Sequence, residues 1–243
     1  MIRPVAVGTW RARLEQAVSL ALVDKVPRDH EQTDAQFRRR RIVVAVTLVV
    51  GATLLGLSLS VRPGGFAFYP LTFAVAVTWV LGGLASGPLH LGYTLNGDRR
   101  QRPVLGPLVI GLVAAAVFIV GALIVREIAP LRDYTESVLA HARRGSLAAV
   151  AVITFVNGVA EEIFFRGGLY AAVGRVQPVA ITTAFYAVVT LATGNPMLGF
   201  AALTLGVVLA LQRRASGGIL APMITHLTWS MTMLFALPPL FAR

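Results

Sequence analysis

The sequence predicts an all-α fold, a polytopic bundle of about seven transmembrane segments. Three observations predict it. Hydrophobic residues make up 56% of the 243 residues and charged residues only 14%, against about 25% charged in soluble domains. Mean hydropathy is +0.73. The apolar residues fall into runs close to the roughly 20 that a helix needs to cross a bilayer. Helices follow because hydrocarbon offers no partner to an unpaired backbone N–H or C=O.

The runs are taken in chain order. Ile42 to Val61 is the first, and Phe66 to Leu89 the second, with Gly and Pro near its end. Val104 to Val125 is the third, and Leu147 to about Val173 the fourth. Pro178 to Thr193 and Met197 to Leu211 are the fifth and sixth. Both fall short of a full span, so they read as a helical pair broken at the turn signal Gly194-Asn195-Pro196. Ile219 to Leu237 is the seventh, with Pro222 near its start, where proline is tolerated. Two amphipathic stretches remain. Trp10, Leu14, Val18 and Leu22 recur near helical spacing beside Arg11 and Arg13, the pattern of an interfacial helix. Leu131 to Arg144 is the other. One membrane domain is the simplest partition. Residues 1–41 form a cytoplasmic or interfacial segment, 42–146 the N-terminal transmembrane helices, and 147–243 the core that carries the motifs.

The basic residues orient the bundle. With the N-terminus in the cytoplasm, Arg38 to Arg41, Arg99, Arg100, Arg102, Arg175, Arg213 and Arg214 share the inner side. Arg62, Arg126, Arg132, Arg143, Arg144 and Arg243 fall outside, a bias in the sense of the positive-inside rule. This predicts a multi-pass protein of the cell membrane. The net charge of +11 fits contact with anionic lipid. A nucleic-acid partner is not expected, since no basic face with aromatic readers is present. There is no cysteine, which excludes disulfides, iron–sulfur clusters and a cysteine nucleophile.

The fourth span carries Glu161, Glu162 and Arg166 within Asn157-Gly-Val-Ala-Glu-Glu-Ile-Phe-Phe-Arg-Gly-Gly168. Each such charge costs about 2.5–3.5 kcal/mol at the bilayer centre on insertion scales, so intramembrane charges mark a candidate functional site. Glu162 and Arg166 are four apart and can pair on one helix face. Glu161 points about 100° away. Its stripe runs Thr154, Asn157, Gly158, Glu161, Phe165 and Gly168, mostly polar or small, the lining of a wet cavity. Glu161 is thus the carboxylate without a local counter-ion and the candidate general base. The same charges can also be read as a packing network or as a proton or ion pathway. Downstream, His226 and Ser230 are four apart in the last span and share a face.

These residues resemble the motifs of the CPBP intramembrane proteases, the CAAX protease and bacteriocin-processing (Abi) family. Glu161-Glu162-Ile163-Phe164-Phe165-Arg166 matches the first motif, E-E-x-x-x-R. His226-Leu227-Thr228-Trp229-Ser230 is similar to the third, H-x-x-x-N or H-x-x-x-D, with Ser230 in the last place. The resemblance covers about residues 147–237. The second motif, F-x-x-x-H, reads Phe185-Tyr186-Ala187-Val188-Val189, so Val189 stands where the family has histidine. What the resemblance implies is an intramembrane glutamate-dependent endopeptidase acting on a membrane-embedded peptide or protein. Glu161 would be the general base and His226 an oxyanion donor. Glu162, Arg166 and Ser230 would support them. With Val189 in place, the enzyme would be weakened or inactive, unless Tyr186 or Thr190 points at Glu161. Prenylated C-terminal motifs are substrates for some relatives.

No cofactor is expected. The family has been called metalloprotease-like, but a catalytic zinc wants three protein ligands and an open position. Only Glu161, Glu162 and His226 remain as candidates, and the reading is against a metal. A serine protease pairing Ser86 with His226 or His90 lacks any spacing that joins them. Asn96-Gly97-Asp98 reads as a turn. The alternative to an enzyme is a non-catalytic membrane protein of the same fold that binds a partner, or a coupled transport pathway.

Overall fold

The computed structural model describes residues 10–28 and 30–242. Residues 1–9 of the predicted interfacial segment and the predicted outer position of Arg243 lie outside the described residues, as do the side chains of Arg13 and Leu14. The order is α1 (Trp10–Val18), a π-helical turn (Ser19–Val23), α2 (Asp34–Ser60), α3 (Phe68–Ser86), a hairpin of β1 (Thr94–Asn96) and β2 (Arg99–Gln101), α4 (Leu105–Val125), α5 (Ala129–Arg144) and α6 (Leu147–Glu161). A π-helical segment (Glu162–Leu169) then leads into α7 (Tyr170–Val173), α8 (Pro178–Leu191), α9 (Pro196–Ser216) and α10 (Leu220–Leu240). Six helical stretches are long and apolar enough to cross a membrane, and Pro178–Leu191 is a shorter seventh. The all-α polytopic bundle predicted from composition is the fold observed. The two-strand hairpin is its one sheet among the described residues, with Gly97 at φ 60 in the predicted turn.

Capping chemistry sets several boundaries. Thr33 and Gln36 form a reciprocal capping box at the start of α2, so this helix begins at Asp34 rather than at the first apolar residue, Ile42. The capping box satisfies two of the free N–H groups of the first turn. The boundary drawn at residue 41 therefore falls inside a helix. Ser146 caps α6. Asn195 accepts from Met197 N and Leu198 N at 3.0 and 3.2 Å, followed by Pro196 at the first helical position. The expectation of a short sixth segment ending at Leu211 is corrected here: α9 runs 21 residues to Ser216. Gln212 and Arg213 did not end the helix because both side chains are buried within the protein. Gln212 Nε2 donates to Thr225 Oγ1 at 2.8 Å. Gly217, at φ 72, closes α9 in the left-handed region, the usual role of glycine at a helix C-terminus.

Side-chain contacts show which helix ends meet. Arg40 donates to Gln32, to Ser86 and to the Pro88 carbonyl, and Arg41 to the Ala172 carbonyl. Val26 N bonds Ala215 O, and Ile219 N bonds His90 O. The start of α2 and the ends of α3, α7 and α9 thus gather at one basic end. At the other end Asn195 donates to the Tyr134 carbonyl and Arg143 to the Pro238 carbonyl, tying α5 to α9 and α10.

The core lies where α2, α3 and the π-helical segment meet. Trp79 is fully buried and stacks on Phe164 at 4.7 Å between ring centroids. Gly51 of α2 makes room for it: a Cβ there would sit 2.1 Å from the Trp79 ring. Small residues permit such close approach between membrane helices. We expect Gly51→Val to lower the thermal midpoint of the purified protein, by about 1–3 kcal/mol of overpacking. A midpoint equal to wild type would show that α2 does not depend on this contact.

Candidate active site

The span that carries the charges is not uniformly α-helical. The chain widens to π-helix over Glu162–Leu169, directly after Glu161. Such wide turns are rare and concentrate at functional sites. Its glycines fit it against the end of α3 and the residues just after it. A Cβ on Gly167 would meet Leu89 at 2.9 Å, and one on Gly168 would meet Ser86 Oγ at 3.0 Å. The Arg166 carbonyl accepts from Arg213 Nε of α9 at 2.6 Å.

The expected pair is present. Arg166 Nη1 donates to Glu162 Oε1 at 3.0 Å, with side chains 2% and 0% exposed. His226 Nδ1 lies 2.8 Å from the same oxygen. His226 of α10 is therefore anchored on Glu162, and its Nε2 is left for another partner. Glu161 turns the other way, toward α8. The Tyr186 hydroxyl donates to Glu161 Oε2 at 2.6 Å. The Arg166 guanidinium lies over the Tyr186 ring, 4.5 Å from its centroid. Phe165 packs on the same ring at 4.7 Å. Glu161, Tyr186, Arg166, Glu162 and His226 thus form one connected chain across three helices. Among the fully buried side-chain atoms of this cluster, Glu162 Oε2 is the one without a hydrogen-bond partner, a costly arrangement in a buried polar network.

Two sequence expectations change in detail. Glu161 lacks a counter-ion but does have a hydrogen-bond partner, since Tyr186 sits one helical turn before Val189 on the same buried face of α8. Thr190 does not reach the cluster, because its hydroxyl bonds back to the Tyr186 carbonyl at 2.8 Å. Ser230 supports His226 less directly than expected. Its hydroxyl points to the Leu227 carbonyl at 3.4 Å and lies beside Gly158, where a Cβ would be 3.9 Å away. Asn157, on the predicted wet stripe, bonds back to Ile153 O at 3.0 Å. Ser86 donates to the Gly83 carbonyl and accepts from Arg40, so it forms no dyad with His226 or His90.

The donor set does not fit a catalytic zinc. Glu162 Oε1 is shared by Arg166 and His226, and Glu161 Oε2 is taken by Tyr186. Among the described residues no three His, Cys, Asp or Glu side chains are grouped to hold a metal ion. Arg166 instead pairs with Glu162 and lies over the Tyr186 ring.

A family model described as type II CAAX prenyl endopeptidase Rce1-like matches residues 143–232. Over this segment the chain is similar to that family. The matched segment runs from the end of α5 into α10 and contains Glu161, Glu162, Arg166, Val189, His226 and Ser230. The family groups CAAX-type intramembrane proteases, which act on membrane-associated protein substrates. The match spans less than half of the chain, leaving α1 to α4 outside the matched segment. No curated protein and no solved structure gives a significant match.

Sequence reasoning missed two contributors. One is the wide helical segment, for which the apolar pattern carries no separate signal. The other is Arg213, read only as a marker of orientation although it holds the Arg166 carbonyl. Its place between Gln212 and Arg214, at the edge of an otherwise apolar run, was the available signal.

Proposed function

We propose that this protein is an intramembrane endopeptidase of the CPBP type, working in the cell membrane with its N-terminus in the cytoplasm. Glu161 is its general base and Tyr186 replaces the missing second-motif histidine as the group that positions that base. The observation that carries this reading is the 2.6 Å bond from Tyr186 to Glu161. It fixes one carboxylate oxygen and leaves Oε1 free to take a proton from a water molecule. The hydroxide attacks the scissile carbonyl carbon. His226, in its doubly protonated form, donates Nδ1–H to Glu162 and directs Nε2–H at the developing oxyanion. The proton taken by Glu161 passes to the leaving amide nitrogen as the C–N bond breaks. Preorganised donors of this kind are often the largest single catalytic contribution. Ser230 supports the His226 helix, and Glu162 with Arg166 keeps the imidazole in place.

The substrate is a membrane-embedded peptide or protein, and anionic lipid is the surrounding partner. The test is direct. The purified protein is reconstituted in vesicles with prenylated C-terminal peptides or with transmembrane peptides, and cleavage products are read by mass spectrometry. Products from either class support the reading. Absence of any product, in vesicles and in a proteome-wide comparison of membranes with and without the intact site, leaves the non-catalytic binding protein in its place.

Tyr186→Phe separates positioning from folding. The ring that carries Arg166 and Phe165 stays, and only the hydroxyl is lost. We expect the cleavage rate to fall about tenfold or more, within the range of lost acid–base assistance, with an unchanged thermal midpoint. An unaltered rate would remove Tyr186 from the mechanism. Val189→His, one turn along the same face, is expected to raise the wild-type rate by supplying a second polar partner near the base. No gain in any substrate assay would show that residue 189 does not reach the water.

A further inference from the structure

At the basic end, with none of Glu161, Glu162, Tyr186 and His226 in its lining, is a cavity of about 1320 Å³. Five cations line it: Lys25, Arg28, Arg175, Arg213 and Arg214. Glu31 is the single carboxylate in the lining among the described residues, and it is exposed. Arg213 also lines a smaller adjoining cavity of about 130 Å³ with Arg40, His90 and Gly167. None of the five cations is in an ion pair among the described residues.

Arg213 is the unusual member. It is 4% exposed, yet its Nη1 has no hydrogen-bond acceptor, and neither does Arg214 Nε. Its remaining contacts are Nε to the Arg166 carbonyl and the Tyr170 ring, whose centroid lies 5.0 Å from the guanidinium carbon. A buried guanidinium without a counter-charge is strongly disfavoured unless an anion completes it. Arginine forks match phosphate oxygens with two parallel bonds, and lysine adds a point charge. The strap before α2 holds the cavity in shape. Val26 N bonds Ala215 O, Arg28 Nη2 donates to the Arg214 carbonyl at 2.9 Å, and Tyr93 donates through its hydroxyl to the Pro27 carbonyl.

We propose that this cavity binds a phosphate group, with Arg213 as the innermost ligand and Lys25, Arg28, Arg175 and Arg214 around it. The phosphate belongs either to an anionic phospholipid headgroup or to a soluble phosphate compound. The site stands whatever reaction the carboxylate cluster performs. A basic pocket between helices at a membrane surface is the setting in which anionic headgroups are recognised.

The test measures binding and not activity. The full-length protein in neutral detergent is melted with increasing phosphatidylglycerol, phosphatidylcholine or inorganic phosphate. We expect a saturable rise of a few degrees in midpoint with phosphatidylglycerol, as ligand linkage requires, and none with phosphatidylcholine. Lys25→Gln with Arg175→Gln, both exposed and free of structural hydrogen bonds among the described residues, should raise the half-saturating concentration about tenfold. Arg213→Lys keeps the charge but loses the fork, and should weaken binding further. A rise with inorganic phosphate alone assigns a soluble phosphate compound, and one with the anionic lipid alone assigns the headgroup. Either result upholds the site. No saturable rise with either source, an equal rise with phosphatidylcholine, or a rise that survives the double substitution unchanged overturns it.

Discussion

Glu161→Gln is expected to leave the protein folded and inserted while lowering its peptidase rate about 10²–10⁴-fold. The substitution keeps the size and shape of the side chain. The Tyr186 hydroxyl, now 2.6 Å from a carboxylate oxygen, can still donate to an amide oxygen. The ring stacked under Arg166 and against Phe165 is untouched. What disappears is the ability to take a proton from water. The loss should appear in kcat with little change in KM, because Glu161 acts on the water and not on the peptide. Initial rates in vesicles, beside a melting curve and a membrane-extraction assay, measure both halves. A variant that retains the wild-type rate would exclude Glu161 as the base and move attention to Glu162. The transport reading makes a different demand, since it needs a flux of protons or ions that the same variant removes.

Arg166→Leu should give the largest loss of stability, about 3–5 kcal/mol. Arg166 is 2% exposed and holds Glu162, which is 0% exposed. Without it, Glu162 stays buried with only His226 beside it, and Glu162 Oε2 already lacks a partner. The Tyr186 ring loses its cation as well. The midpoint should fall about 10 °C for a chain of this size. Arg166→Lys should recover part of the loss, since an ammonium supplies charge without the planar fork. Glu162→Met combined with Arg166→Leu should cost less than the two single changes together. Removing one member of a buried pair strands a charge, whereas removing both does not. Strict additivity in that cycle would mean the pair is not coupled.

Much of the bundle was legible because membrane solvation is a severe filter. Apolar runs of the right length mark spans, and the fourth, Leu147 to Val173, matches the continuous helical stretch α6 to α7 end to end. The errors fell where polar residues are satisfied by the protein rather than by water. Arg40 sits in the second turn of α2 because Gln32, Ser86 and the Pro88 carbonyl receive it. Gln212 and Arg213 continue α9 for the same reason. Neither contact is visible in a one-dimensional hydropathy pattern. At the site, the i to i+4 pairing of Glu162 with Arg166 followed from spacing alone. The partner of Glu161 did not, since Tyr186 lies 25 residues away on another helix. Nor did the choice of Glu162 as the seat of His226, because two adjacent carboxylates offer the same chemistry to a third helix until packing decides between them.

The wide segment from Glu162 to Leu169 gives this span an asymmetric response to changes in length. A π-turn holds one residue more than an α-turn over the same stretch. Deleting a residue from within it lets the backbone tighten to ordinary α-helix, with α6 before it and α7 after it keeping their facing directions. The same deletion inside α6 would swing every later side chain by about 100°. A single-codon loss at the wide turn therefore keeps a foldable membrane span while pulling Arg166 out of step with Glu162 and releasing its carbonyl from Arg213. Continuity of the span can thus survive a change that breaks the site, at the stability cost of a buried Glu162 left without Arg166.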